Sequence, residues 1–202
     1  MPQNRTSPHR LDPRTPFVVD TRELGRRPGS MRTLRRTAPA PERLGIDLIG
    51  VPAGADLELD LRLESVVEGV LVSGTATVPL SGECGRCLEP VTDSMTVDLQ
   101  ELYLYEGDDR RHRGTSPEDA EEETSRMEGD LLDLDPVLRD AVVLALPLTP
   151  LCREDCSGLC AECGARLDDL PVGERDQHAH GAPDPRWAGL QGLRTTDTHQ
   201  EN

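Results

Sequence analysis

Apolar and polar positions alternate along the chain from about Ile46. Leu57, Leu59, Leu61 and Leu63 interleave with Glu58, Asp60 and Arg62, the period of two expected of a strand with one buried face. Val70 and Val72 extend the pattern, Gly74 interrupts it, and Ala76, Val78 and Leu80 resume it. After a Cys84-Gly85-Arg86-Cys87 segment, Met95, Val97 and Leu99 alternate again, and the run continues through Leu102 and Leu104. These runs predict an antiparallel meander of about four strands with the CGRC segment at a hairpin tip.

The period then changes. Asp135-Pro136 predicts an N-cap followed by proline at the first helical position. Val137, Leu138, Ala141, Val142, Leu144 and Ala145 supply a broad apolar face up to Pro147. A short buried helix over Asp135–Ala145 would cover one face of the meander, which makes the fold α+β. Earlier, Phe17-Val18-Val19 is a short apolar patch leading into DTRELGRRPGSMR, where Pro28-Gly29 marks a turn.

Composition limits how much of the chain shares this core. Only 35% of the 202 residues are hydrophobic and 2% aromatic, against roughly 45–50% apolar in average soluble chains. The expected organisation is a single domain over residues 15–167, preceded by a disordered tail over 1–14. Within it lie an acidic disordered loop over 106–130 and a Cys cluster over 152–164. A mostly disordered tail, 168–202, carries Trp187, Leu190 and Leu193 at helical spacing, a short helix near 186–193. No run approaches the ~18 apolar residues of a membrane span, and no apolar segment follows the N-terminal charges as in a signal peptide. A cytoplasmic protein is expected.

The net charge of −16 divides unevenly. Residues 1–40 hold nine Arg and three acids, a net +6, and the remainder carries −22. Bulk charge therefore argues against a body that grips nucleic acid, while two surfaces suit different partners. An N-terminal arm carrying Arg5, Arg10, Arg14, Arg26, Arg27, Arg35 and Arg36, joined by Arg86 at the knuckle, suits RNA, since arginine-rich segments fold on it. All 22 basic residues are Arg, the bias of a GC-rich genome, which weakens that inference. Four aromatic residues leave no stacking platform for reading bases. The acidic remainder suits a basic protein, with 106–130 and the Trp187 segment as contacts.

Six cysteines in a chain without an export signal point to metal ligation rather than disulfides. Cys152, Cys156, Cys160 and Cys163 fall within twelve residues and match a tetrahedral structural zinc site. Three allocations fit. Those four close one site and leave Cys84 and Cys87 as a second-tier pair; or the two CxxC knuckles, Cys84/Cys87 and Cys160/Cys163, share one ion and tie the later segment onto the sheet; or all six hold two bridged metals. A closed four-cysteine site stabilises and catalyses nothing. A Cys84/Cys87 redox dithiol lacks the strand-to-helix context of a thioredoxin-like motif. His9, His112, His178, His180 and His199 all fall in polar segments, so solvated side chains are expected, with His178 and His180 as the alternative late zinc ligands. No GxSxG, phosphate loop or dinucleotide fingerprint occurs. No enzyme is expected.

Three separated motifs, CGRCLEP, DLDPVLRDAVVLALPLTP and LCREDCSGLCAECGARL, resemble the YceD family in order and spacing, as do DTRELGRRPGSMR and the closing DPRWAGLQGL. The similarity covers roughly residues 15–193. This resemblance implies a non-catalytic bacterial ribosome-biogenesis factor that promotes accumulation of large-subunit (23S) ribosomal RNA. It further implies a cytoplasmic location and a sheet-plus-helix fold. It carries over to Cys84, Arg86 and Cys87, to the helix, and to the four later cysteines. The alternatives are an acidic escort or scaffold for a basic ribosomal protein and, third, a zinc-thiol redox sensor or regulator.

Overall fold

In a computed structural model of the chain, residues 11–106, 125–175, 178 and 180 are described. The chain divides into two compact units, residues 1–154 and 155–202. The division falls inside the cysteine-rich segment.

Among the described residues, the first unit has eight strands and a helix: β1 (Val18–Asp20), β2 (Met31–Pro39), β3 (Leu44–Gly45), β4 (Ile49–Val51), β5 (Asp56–Ser65), β6 (Gly69–Glu83), β7 (Pro90–Leu104), β8 (Leu131–Asp133) and α1 (Asp135–Ala145). The four leucines of β5 are at most 3% exposed, because a period of two puts them all on one face. They pair in register with inward positions of β6, Leu59 opposite Ala76 and Leu63 opposite Val72. β6 and β7 form a long antiparallel hairpin in which Ala76 faces Val97 and Gly74 faces Leu99. Since β7 occupies one edge of β6 along its whole length, β5 and β4 share the other edge, at residues 70–77 and 81–82. The expected meander is present, and it is larger than the alternation suggested.

The longest added strand is β2, which pairs antiparallel with β5 along nine residues. Its core-side positions, opposite the β5 leucines, are Arg32, Leu34, Arg36 and Ala38. Two of the four are charged, so the run shows no apolar alternation. Charged residues turned inward on a boundary strand oppose pairing with another chain. The segment read as an arm thus contributes β1 and β2 to the sheets.

Val18 and Val19 of the apolar patch enter β1, paired antiparallel with β8, and Phe17 just before it is buried with them. Residues 11–14, expected within the disordered tail, form a turn in which the Leu11 amide donates to Glu128 Oε2 at 2.8 Å. At the far end of the acidic segment, the Met127 amide donates to the Leu104 carbonyl and its side chain is 2% exposed. The rest of that segment, 107–124, lies outside the described residues, as do His9, His112, His199 and the helix expected near 186–193.

Helix α1 spans the expected residues with a narrower apolar face. Leu138 and Val142, one turn apart, are buried in the core, whereas Leu144 is 86% exposed and Ala145 is exposed. The 100° step per residue carries Leu144 away from the seam set by Leu138 and Val142, whereas Ala145 stays on their side and is exposed as the last residue of the helix. The N-cap is Leu134 rather than Asp135, and it makes no side-chain cap. Asp135 sits in the first turn, where its charge suits the helix dipole.

The second unit contains a turn at 160–165 closed by a bridge between Leu159 and Arg166, then a 3-10 turn (Leu167–Asp169) and a short helix, α2 (Val172–Arg175). Arg175 fastens this segment, donating to the carbonyls of Leu170 at 3.1 Å and Asp168 at 3.0 Å.

Candidate metal centres

The β6–β7 hairpin ends in the turn Cys84-Gly85-Arg86-Cys87-Leu88. The Leu88 amide donates to the Cys84 carbonyl and the Cys84 amide to the Glu89 carbonyl. Leu88 has φ +61°, the only non-glycine with positive φ among the described residues. The amides of Arg86 and Cys87 donate to the Cys84 sulfur. The Gly85 amide donates to the Pro150 carbonyl at 2.8 Å, and a Cβ on Gly85 would lie 3.1 Å from Thr149 Cγ2. A larger residue would crowd the contact that brings the chain back towards Cys152.

Cys87 and Cys152 place their sulfurs 3.5 Å apart. Cys156, four residues further on, completes a group of four sulfurs lying within 4.8 Å of one another. Tetrahedral zinc–thiolate bonds of about 2.3 Å imply sulfur–sulfur edges of about 3.8 Å, so this donor set fits such an ion. All six cysteines are free of disulfides, and Cys84, Cys87 and Cys156 are buried. Burial opposes ionisation of Cys84. Hydrogen bonds to its sulfur from the Cys152, Arg86 and Cys87 amides and from the Cys87 side chain outweigh it and lower its pKa to about 6. That environment favours a thiolate, the form that binds metal.

A second group joins Cys160, Cys163, His178 and His180. Here the amides of Cys163 and Glu162 donate to the Cys160 sulfur, and despite burial they lower its pKa to about 6, helped by the Cys163 and His178 side chains. His178 Nε2 lies 3.4 Å from Cys163 Sγ and 3.0 Å from His180 Nε2.

The structure thus does not gather Cys152, Cys156, Cys160 and Cys163 as one set, nor the two knuckles as one set, nor all six sulfurs. It parts the later cysteines two and two. Spacing alone favoured the contiguous four, because the hairpin tip is distant in sequence and the two histidines sat in a polar stretch. His178 and His180, the alternative late ligands, are the residues grouped with Cys160 and Cys163.

The expected RNA-contact arginines are mostly engaged within the chain. Arg26 donates to the Gly129 carbonyl and the Asp130 carboxylate, both at 3.1 Å, and lies over the Tyr105 ring. Arg35 pairs with Asp60 at 3.1 Å, and Arg36 donates to the Pro16 carbonyl at 2.7 Å. Arg27 is exposed and forms no ion pair among the described residues, and Arg86 is exposed on the knuckle. Arg5 and Arg10 lie outside the described residues. Beside β2, Arg22, Arg32 and Arg36 line an open cleft of about 450 Å³ together with Asp20 and Glu23. Arg22 pairs with Asp20 there, and Arg32 pairs with Glu23 at 3.0 Å. No helix among the described residues is long and apolar enough to cross a membrane.

Leu88 gives a sharp local test. The left-handed region disfavours side chains by about 1–2 kcal/mol and is neutral for glycine. Leu88→Gly is therefore expected to be more stable than Leu88→Ala by about 1 kcal/mol, the reverse of their order in a helix. Urea denaturation in excess zinc measures the difference.

Proteins of Mycobacterium tuberculosis (strain H37Rv) and Mycobacterium bovis, each described as uncharacterized, are 45% identical over 176 residues, 87% of this chain and 80% of theirs. A protein of Mycobacterium leprae, also described as uncharacterized, is 40% identical over 186 residues, 92% of this chain and 81% of its own. No solved structure matches. The model of the family described as large ribosomal RNA subunit accumulation protein YceD matches residues 72–194, from β6 through both candidate metal centres. On this match, which spans more than half its length, the chain belongs to the YceD family.

Proposed function

We propose that this chain is a non-catalytic ribosome-biogenesis factor that promotes accumulation of large-subunit ribosomal RNA, with a structural zinc ion held by Cys84, Cys87, Cys152 and Cys156. The role is carried by the family match over residues 72–194, whose description names accumulation of an RNA and no reaction. The zinc reading is supported by four mutually adjacent sulfurs, three of them buried. Four thiolates fill a tetrahedral ion's coordination positions and leave none for substrate.

The direct partner is approached through charge. RNA contact by Arg26, Arg27, Arg35, Arg36 and Arg86 would draw on a set in which Arg26 and Arg35 already neutralise acids. The second reading, an escort for a basic ribosomal protein, is favoured by the outward face of the sheet. Asp56 and Glu58 of β5 and Asp98 of β7 are exposed there, beside the Arg35–Asp60 and Arg62–Glu64 pairs on the same side. Such a face attracts a cationic protein surface in a salt-sensitive way and repels phosphate.

Crosslinking the tagged full chain in growing cells, with bound RNA and protein identified together, tests both readings. Depletion of the chain is expected to lower large-subunit relative to small-subunit ribosomal RNA; an unchanged ratio would defeat the proposed role. A basic ribosomal protein retained after nuclease treatment and lost at high salt supports the escort. Recovery of ribosomal RNA alone supports the arginine contact.

A further inference from the structure

We propose that the chain carries a second, independent zinc site, formed by the sulfurs of Cys160 and Cys163 and the imidazole nitrogens of His178 and His180, so that each CxxC turn holds its own ion. The two CxxC knuckles share one backbone geometry. In the hairpin turn, the Leu88 amide donates to the Cys84 carbonyl and the Cys84 amide to the Glu89 carbonyl. In the second unit, the Gly164 amide donates to the Cys160 carbonyl and the Cys160 amide to the Ala165 carbonyl. Leu88 and Gly164, each four residues after the first cysteine, have φ values of +61° and +71°. In both turns the amides two and three residues after the first cysteine point at its sulfur. The two segments are one device in two copies, since this arrangement sets two thiolates side by side with their charge partly met by amides.

What differs is the pair that completes each set. The hairpin copy meets Cys152 and Cys156, and the second copy meets His178 and His180. Zinc–sulfur bonds of about 2.3 Å and zinc–nitrogen bonds of about 2.0–2.1 Å imply tetrahedral edges of about 3.5 Å between sulfur and nitrogen and about 3.3 Å between nitrogens. The Cys163–His178 and His178–His180 separations are 3.4 and 3.0 Å. Hydrogen bonding alone accounts poorly for this convergence. His178 Nε2 carries one proton or one lone pair, yet it faces both the Cys163 sulfur and the His180 nitrogen. A shared cation serves all the lone pairs at once. Two thiolates and two imidazoles select zinc over magnesium or calcium, which take oxygen ligands.

The two ions should exchange at different rates. Three of the four thiols at the hairpin tip are buried, whereas Cys163 and His180 are exposed and Cys160 and His178 half-buried. Four thiolates leave a formally dianionic centre, and two thiolates with two neutral imidazoles leave a neutral one. A chelator therefore reaches the second ion first and competes with fewer thiolates.

Native mass spectrometry of the full chain after loading with zinc(II) tests the assignment, paired with release into 4-(2-pyridylazo)resorcinol. The intact chain is expected to carry two ions and to release them in two phases. Cys163→Ser, and separately His178→Ala with His180→Ala, should carry one ion and lack the fast phase. Cys156→Ser should retain the fast phase, including where the rest of the variant folds poorly. One ion in the intact chain, two ions kept by the histidine variant, or loss of both ions in Cys163→Ser would each overturn the proposal.

Discussion

Cys87→Ser is expected to abolish zinc binding at the hairpin tip and to remove on the order of 4 kcal/mol from the stability of the sheet, the contribution of a ligand held at about a thousandfold above its Kd. Cys87 is 5% exposed, and its sulfur sits 3.5 Å from that of Cys152. A serine hydroxyl stays protonated at neutral pH and is a poor ligand for a borderline-soft ion that prefers thiolate. Three thiols, two of them buried, then lose the charge that organises them. The ion also closes a long loop between residues 87 and 152, a restriction on the unfolded chain that disappears with it. A domain's whole margin is about 5–15 kcal/mol, so the loss is a large share. Tyr103 and Tyr105, the two tyrosines of the chain, both lie in the first unit and report on it. Urea denaturation followed at these residues should show a chelator-sensitive midpoint for the parent and an insensitive, lower one for the variant. A parent midpoint indifferent to chelation would remove zinc from the account of this fold.

Gly74→Ala is expected to cost about 3 kcal/mol or more, at the upper end for backbone strain combined with overpacking. Gly74 lies in β6 with Leu61 of β5 on one side and Leu99 of β7 on the other. Its φ is +146°, and an added Cβ would stand 2.2 Å from the Asp60 carbonyl oxygen and 2.9 Å from the Leu61 Cα. Both neighbours are backbone atoms of a paired strand, so neither can swing away as a side chain end could. Relief requires β5 to part from β6, which breaks ladder hydrogen bonds on the core-bearing strand. Gly54 provides the control, because at φ +77° its Cβ would meet nothing within 4 Å. Gly54→Ala should therefore cost only the conformational penalty, about 1 kcal/mol. Equal losses in the two variants, measured by chemical denaturation in excess zinc, would show that the close approach at Gly74 is readily relaxed.

Charge placement bears on function in a similar way. The +6 of residues 1–40 looks like an RNA-binding arm in sequence, but much of the segment is β2 and its flanks. Arg35 faces Asp60 and Arg26 faces Asp130, partners 25 and 104 residues away. The formal charge of the segment survives, while its availability is set by acids that no local reading could pair with it.

The sequence by itself determined the elements whose information is local. The alternating leucines of β5 need only a sheet with one dry face, and the CGRC turn between two alternating runs needs only a hairpin. The proline-led apolar run of α1 likewise specifies its own helix. Cysteine type and spacing pointed to thiol groups that could hold a metal, because tight turns set such pairs side by side. Tertiary structure decided what depends on a partner far along the chain. β2 exists because nine residues with two inward arginines find β5, and β1 because residues 18–20 find residues 131–133. The same holds for the ligand sets. Each CxxC turn specifies half of a tetrahedron, and which two further atoms fill the other half depends on where the fold returns the backbone: the Gly85–Pro150 contact brings Cys152 to the first turn, and the path after α2 brings His178 and His180 to the second. Coordination is a property of four points in space, and sequence spacing fixes only the distance between neighbours on the chain.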